Sequence, residues 1–191
     1  GIGDGVIAPP PERPFLSEVG APVERLRIGM LDHDPHGVQV DDECRDAARA
    51  TAKLLESLGH HVDESYPSAM ADASFPPRFG AMWATGQAVS RDALAALLGR
   101  PVTSDDMEAV NWAQAEYAAR SSAVDYAKSV AAAAMFRRAL AKWWHDGYDL
   151  LLTPTLARIP FLVGSFTNDP SDPMKPSRLA GEWVRFTAQF N

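Results

Sequence analysis

The spacing of apolar positions changes period twice in the first third of the described pattern. In Leu26-Arg27-Ile28-Gly29-Met30-Leu31 apolar residues alternate at 26, 28 and 30, and Leu31 extends the run, which predicts a strand. From Asp42 to Leu58 they recur as Cys44, Ala47, Ala48, Thr51, Leu54, Leu55 and Leu58, at spacings of three and four that mark one face of a helix. Asp41 stands before this helix as an N-cap and Gly59 after it as a C-cap. His61-Val62-Asp63-Glu64-Ser65-Tyr66 predicts a second strand, closed by Pro67. Strand, helix and strand over so short a span form a βαβ unit with parallel strands.

Helical spacing returns over residues 68–100, with Phe75, Phe79, Met82, Trp83, Leu94, Leu97 and Leu98; Pro76 and Pro77 interrupt its start and Gly99-Arg100-Pro101 stops it. Thr103 to Asp106 and Ser122 to Asp125 both have the form of a capping box, opening helices to about residue 119 and about residue 145. In the second of these Tyr126, Val130, Ala133, Phe136, Leu140, Trp143 and Trp144 share a face, and Lys128, Ser129, Arg137, Arg138 and Lys142 fall largely off it, as in an amphipathic core helix. Gly147 ends it. Asp149–Leu152 is a wholly apolar run after its first residue and suits a strand covered on both faces. It opens through Thr153-Pro154-Thr155 into a loop over 156–176, followed by a short helix over 177–188 carrying Leu179, Trp183, Val184 and Phe186. Ligands of open α/β sheets gather at the carboxyl ends of strands, where Thr153 and Thr155 stand.

Residues 1–24 hold Pro9, Pro10, Pro11, Pro14 and Pro22 and read as a linker into a domain over 25–191. A chain of 191 residues with a net charge of −7 and no Lys/Arg-rich run argues against nucleic-acid or anionic-membrane binding, both of which need clustered positive charge. No apolar stretch approaches the ~20 residues of a membrane span. With no signal-peptide pattern either, a cytoplasmic location is expected. The first residue is Gly1 rather than Met, and Phe190-Asn191 carries no stop signal, so the chain reads as a piece of something longer.

Candidate chemistry is sparse. Cys44 is the single cysteine, which leaves no internal disulfide and no cysteine metal cluster; it reads as a small buried helix residue. His33-x-x-His36, beside Asp32 and Asp34, is the most ligand-like cluster, but a zinc site needs three or four ligands and no distant pair completes it; a solvated turn is expected. His60-His61 lies at a helix end, where a positive side chain suits the dipole. No Gly-rich phosphate loop and no G-x-S-x-G occurs. Ser121-Ser122 sits at a helix start with no base poised to activate it and reads as a cap. Thr153 and Thr155 remain, able to hydrogen-bond a ligand or their own loop. Trp83, with Met82, can line a pocket or fill the core.

Five segments, in order, resemble the amidase signature family. They are Leu26–Leu31, Val40-Asp41-Asp42-Glu43-Cys44, Leu54–His60 followed by Val62, Tyr148–Thr155, and Phe186-Thr187-Ala188-Gln189-Phe190-Asn191, where Gln189 replaces the usual proline. Within the family the chain looks most like the bacterial 6-aminohexanoate cyclic dimer hydrolases. The resemblance implies part of an α/β/α fold, a mixed sheet flanked by helices. It also implies hydrolysis of a carboxamide or cyclic amide by a Ser–cis-Ser–Lys triad, without metal or cofactor. The family's serines and lysine belong to segments upstream of anything matched here, and Lys53, Lys128, Lys142 and Lys175 stand at no matching position. No catalytic residue is carried over; Thr153, Thr155 and Trp83 are the expected substrate-pocket residues. A piece of this fold is expected to expose sheet edges and to associate with itself or with the remainder of its domain. A non-catalytic small-molecule-binding lobe and an amidotransferase subunit are the alternatives.

Overall fold

The computed structural model of the protein describes residues 10–190, so the first nine residues of the Pro-rich segment and Asn191 lie outside the described residues. Three strands form a parallel sheet in the order β2-β1-β3: β1 is Arg27–Met30, β2 is His61–Glu64 and β3 is Leu150–Leu152. Ile28 pairs with Val62 on one side and with Leu150 on the other. The chain is α/β, and its described strands are all parallel. Helix α1, Asp42–Ser57, makes the β1–β2 crossover. Three helices, α2 (Phe75–Leu98), α3 (Ala109–Ala119) and α4 (Ala123–His145), fill the long return to β3, with α2 packed on both α3 and α4. A short helix α5, Lys175–Trp183, follows.

The core gathers around the carboxyl end of β1. Leu31, Val40, Met70, Phe136, Leu140, Ala157 and Phe186 are buried together. Phe136 of α4 stacks on Phe75 of α2 at 3.8 Å between ring centres. Trp143 lies directly over Gly29, donates from Nε1 to Ser65 Oγ at 3.0 Å, and stacks on Tyr148 at 4.1 Å. At the amino ends of the strands Arg27 joins the two crossovers: Nε bonds Asp63 Oδ2 at 3.0 Å and Nη2 bonds Tyr148 Oη at 3.0 Å. That contact is the main reason the Asp63 carboxyl sits below its ordinary range.

Several expectations change in the folded chain. On α1 only Ala48 and Ala52 are buried, while Leu54 and Leu58 are 58% and 65% exposed. The helix packs on β2, and its 47-51-54-58 stripe is left exposed. Leu150 of the edge strand β3 is 49% exposed, so β3 is not covered on both faces within this chain. On α4 the buried stripe is Ser129, Phe136, Leu140 and Trp143, whereas Tyr126 and Val130 are exposed. Ser129 is tolerated inside because its hydroxyl donates to the Asp125 carbonyl at 3.0 Å.

Pro76 and Pro77 sit in the first turn of α2, where their missing donors are not needed. The Thr103–Asp106 capping box closes one 3-10 turn, Ser104–Asp106, because Met107 is extended; α3 starts later, with the Ala109 N–H donating to Asn168 Oδ1 at 2.7 Å. The final helix ends at Trp183, earlier than the 177–188 span, because Arg185 turns to Asp34 and Phe186 enters the core.

Candidate functional site

Parallel strands bring their carboxyl ends to one edge of the sheet, and both β1 and β3 break there into loops held by carboxylates, Asp34 on the first and Asp41 on the second. The Leu31 N–H donates to Leu152 O at 3.0 Å, extending the β1–β3 pairing up to Thr153. Beyond it Thr153 and Thr155 line a cavity of about 440 Å³ between the loop and α1, together with Glu43, Cys44, Thr51 and Arg158. Asp41 organises the rim. Its side chain makes no cap bond to α1; instead Oδ2 accepts from Ile159 N at 3.1 Å, and its own N–H donates to Ala157 O at 2.8 Å. On the far side Trp183 Nε1 donates to Ile159 O at 2.7 Å, and Ala157 N donates to Trp183 O at 2.9 Å. The loop that carries the threonines is therefore stitched to α1 and to α5 by hydrogen bonds that no local pattern shows.

Asp32 and Asp34 are buried, which corrects the expected solvated turn. Asp34 accepts from Arg185 Nε at 3.0 Å, from Arg185 Nη2 at 3.2 Å, and from the N–H groups of His36 and Val38 at 3.2 and 2.9 Å. Asp32 accepts from Arg49 Nε at 2.6 Å. Their charges are met by arginines drawn from α1 and from beyond α5, and a buried carboxylate needs such partners. His33 places Nδ1 3.5 Å from Asp32 Oδ1 and sits edge-on to Tyr66 at 5.7 Å. Among the described residues no three His, Cys, Asp or Glu side chains come together as a metal set.

Cys44 is partly buried and lines the Thr153 cavity. Burial first, then the Asp41 and Glu43 carboxylates, push its thiol above the ordinary value, so it stays protonated at neutral pH and is a poor nucleophile. At the helix end His60 Nδ1 accepts from Leu26 N at 3.2 Å, while His61 Nε2 contacts Asp63 Oδ1 at 2.9 Å. The Ser122 hydroxyl is spent in the α4 capping box, donating to Asp125 Oδ2 at 2.7 Å and accepting from Asp125 N at 3.1 Å. The Ser122 hydroxyl first, then the Ser122 N–H donating to the same Oδ2 at 3.1 Å, hold the Asp125 carboxyl below its ordinary range. Ser121 donates to Tyr117 O at 3.2 Å. These serines serve helix ends.

Trp83 is not in the core. It is 56% exposed and lines a second cavity, about 530 Å³, with Phe79, Gly80, Gln114, Tyr117, Arg120 and Met174, between α2, α3 and the start of α5. The structure thus brings Thr153 and Thr155 together and sets Trp83 in a different recess. Arg185 and Arg120, each important to one of these regions, carry no local sequence signal: Arg185 acts across 151 residues, and Arg120 reads as an ordinary helix end.

A parallel sheet with its helices and a β3 carboxyl end opening on a cavity is the arrangement of an amidase lobe, and residues 4–191 match the family described as Amidase; the chain belongs to it. The likeness is more specific than the family. The chain is 34% identical over 157 residues to the 6-aminohexanoate-cyclic-dimer hydrolase of Paenarthrobacter ureafaciens, covering 82% of this chain and 32% of that protein. The enzyme of the same name from Pseudomonas sp. (strain NK87) matches equally, at 34% over 157 residues. The solved structure of 6-aminohexanoate cyclic dimer hydrolase complexed with substrate superposes with a TM-score of 0.85 at 29% identity, over 99% of this chain and 41% of that one. A bacterial aryl acylamidase of the amidase signature family shares the fold, with a TM-score of 0.61 at 21% identity over 80% of this chain. The chain spans about a third of the length of the curated relatives it matches.

Proposed function

We propose that this chain is one part of an amidase that hydrolyses a carboxamide or cyclic amide. In this reading the Ser–cis-Ser–Lys triad stands on residues outside 1–191, and this part is inactive by itself. The observation that carries the reading is the match to the Amidase family over residues 4–191, joined to relatives that hydrolyse a cyclic amide. Three serines agree with that placement: Ser121 and Ser122, at the α3–α4 junction, are spent on a helix carbonyl and a cap, and Ser65 accepts from Trp143.

The chemistry asks little of this part. A serine activated by lysine adds to the amide carbonyl, N–H donors hold the oxyanion, the amine leaves protonated, and water releases the acid from the acyl-enzyme. No metal or cofactor enters. Thr153 and Thr155 would offer hydroxyls to the substrate from the carboxyl end of β3, and Trp83 an apolar wall further out. The open β3 edge, with Leu150, is the surface on which the remaining domain, or a second copy, would sit. Among the described residues no helix is long and apolar enough to cross a membrane; a cytoplasmic location suits an acidic enzyme of this kind.

The test compares residues 1–191 with a polypeptide that also carries the remaining length of its relatives, assayed for amine release from cyclic and linear amides. Turnover by the longer polypeptide alone, with no partner added, is the expected outcome and also sets aside the amidotransferase alternative. Turnover by residues 1–191 alone overturns the placement of the triad, and no turnover by either overturns the reaction.

A further inference from the structure

The Trp83 recess combines an apolar interior with an unused cation. Phe79 and Trp83 of α2 are tilted neighbours at 6.1 Å, and Ala113 and Tyr117 of α3 face the same space. A cavity of about 530 Å³ is of the size that holds small molecules. Gly80 opens onto it: a Cβ built there meets no atom within 4 Å. Trp83 and Tyr117 are 56% and 51% exposed, so two amphipathic rings stand half-open at the rim.

Arg120 and Tyr117 line both this recess and an adjoining polar one of about 430 Å³, which adds Ser121, Asp125, Lys128 and Ser129. The other described arginines nearby are paired: Arg91 with Glu116 at 2.8 Å and Arg100 with Asp106 at 2.7 Å. The Arg120 guanidinium, in contrast, has no hydrogen bond or ion pair among the described residues. Asp125, the acid facing it in the polar recess, is occupied by the Ser122 cap rather than by Arg120. With Lys128 on the same wall, the rim keeps net positive charge in a chain whose total is −7.

We propose that this recess binds a straight-chain monocarboxylate, its methylenes against Phe79, Trp83 and Tyr117 and its carboxylate on the Arg120 guanidinium. Arginine is suited to the carboxylate end because its planar donors match the two oxygens. The aromatic rings supply apolar contact for the chain. The proposal rests on the reading of Trp83 as a ligand wall given above, and it is independent of which residues carry the hydrolysis. An amide hydrolase releases a carboxylic acid, so the ligand class coincides with the acid half of such a product.

Calorimetric titration of octanoate and of octan-1-ol into the complete polypeptide tests it. Octanoate is expected to bind more tightly than octanol, and Arg120→Gln to weaken octanoate about tenfold while leaving octanol unchanged. Arg120→Lys should restore part of the difference. Gly80→Leu fills the recess from a position with open space and should abolish binding of both. Trp83→Ala, at a half-exposed position where folding is not at stake, should weaken both. Absence of octanoate binding, or binding indifferent to Gly80→Leu and Trp83→Ala, or an octanoate affinity equal in Arg120→Gln, overturns the site. Amide turnover in the same preparations separates the two readings: turnover without octanoate binding removes this site and leaves the amidase standing, and octanoate binding without turnover does the reverse.

Discussion

Gly29→Ala is expected to be among the most damaging single substitutions in the chain, lowering stability by about 3 kcal/mol or more. The added Cβ would lie 2.3 Å from Trp143 Cζ2 and 2.5 Å from the Ser65 carbonyl oxygen. Neither neighbour can retreat cheaply. The Ser65 carbonyl belongs to backbone that leaves β2 still paired, its N–H donating to Met30 O at 3.2 Å. Trp143 is buried, stacked on Tyr148 and hydrogen-bonded to Ser65. β1 is the central strand, so a shift there disturbs the pairing on both sides. Urea denaturation of the complete polypeptide should show the loss as a fall in the midpoint, and Trp143→Leu in the same chain should recover part of it by relieving one of the two clashes. An unchanged midpoint would mean that Trp143 does not lie on Gly29.

Phe186→Ala should cost about 3–5 kcal/mol, the range for truncating a fully buried phenylalanine. Its side chain is 1% exposed and sits among Leu31, Val40, Met70, Phe136 and Leu140, where α4, the end of β1 and the tail of the chain converge. Phe190, four residues on, is 49% exposed and stands edge-on to Trp144 at 6.0 Å. Phe190→Ala should therefore cost less than about 1 kcal/mol. The contrast within one short segment, read by the same denaturation, checks that Phe186 rather than the segment as a whole anchors the tail. Equal losses at the two positions would contradict it.

Much of the architecture was legible from periodicity. The alternation at Leu26–Met30 and the three-and-four spacing after Asp41 led to β1 and α1, and Ser122 with Asp125 marked the start of α4 within a residue. Those signals are local: they depend on backbone hydrogen bonds and caps between residues near in sequence. Exposure along the helices was less legible: Leu54 and Leu58 share the spacing of an apolar face and still stand exposed, because what covers a helix face is set by elements distant in sequence. Five ordered segments were enough to indicate the amidase family, although each alone is common. The site divided in the same way. Thr153 and Thr155 could be placed at a strand end by pattern, and they line one cavity. That Trp83 stands in another, that Asp41 braces the Thr155 loop, and that Asp34 is buried against Arg185 all depend on contacts between residues far apart in the chain. An Asp-x-Asp turn looks solvated until its arginine arrives from 151 residues away.

The central claim is that this chain supplies scaffold and pocket wall to an amidase whose nucleophile lies elsewhere. Labelling the complete polypeptide with a serine-directed phosphonate, followed by proteolysis and mass mapping of the modified peptide, tests it most directly. The account predicts a single modified serine outside residues 1–191 and loss of amide turnover in step with labelling. Modification of a serine within residues 1–191 in step with that loss would contradict it.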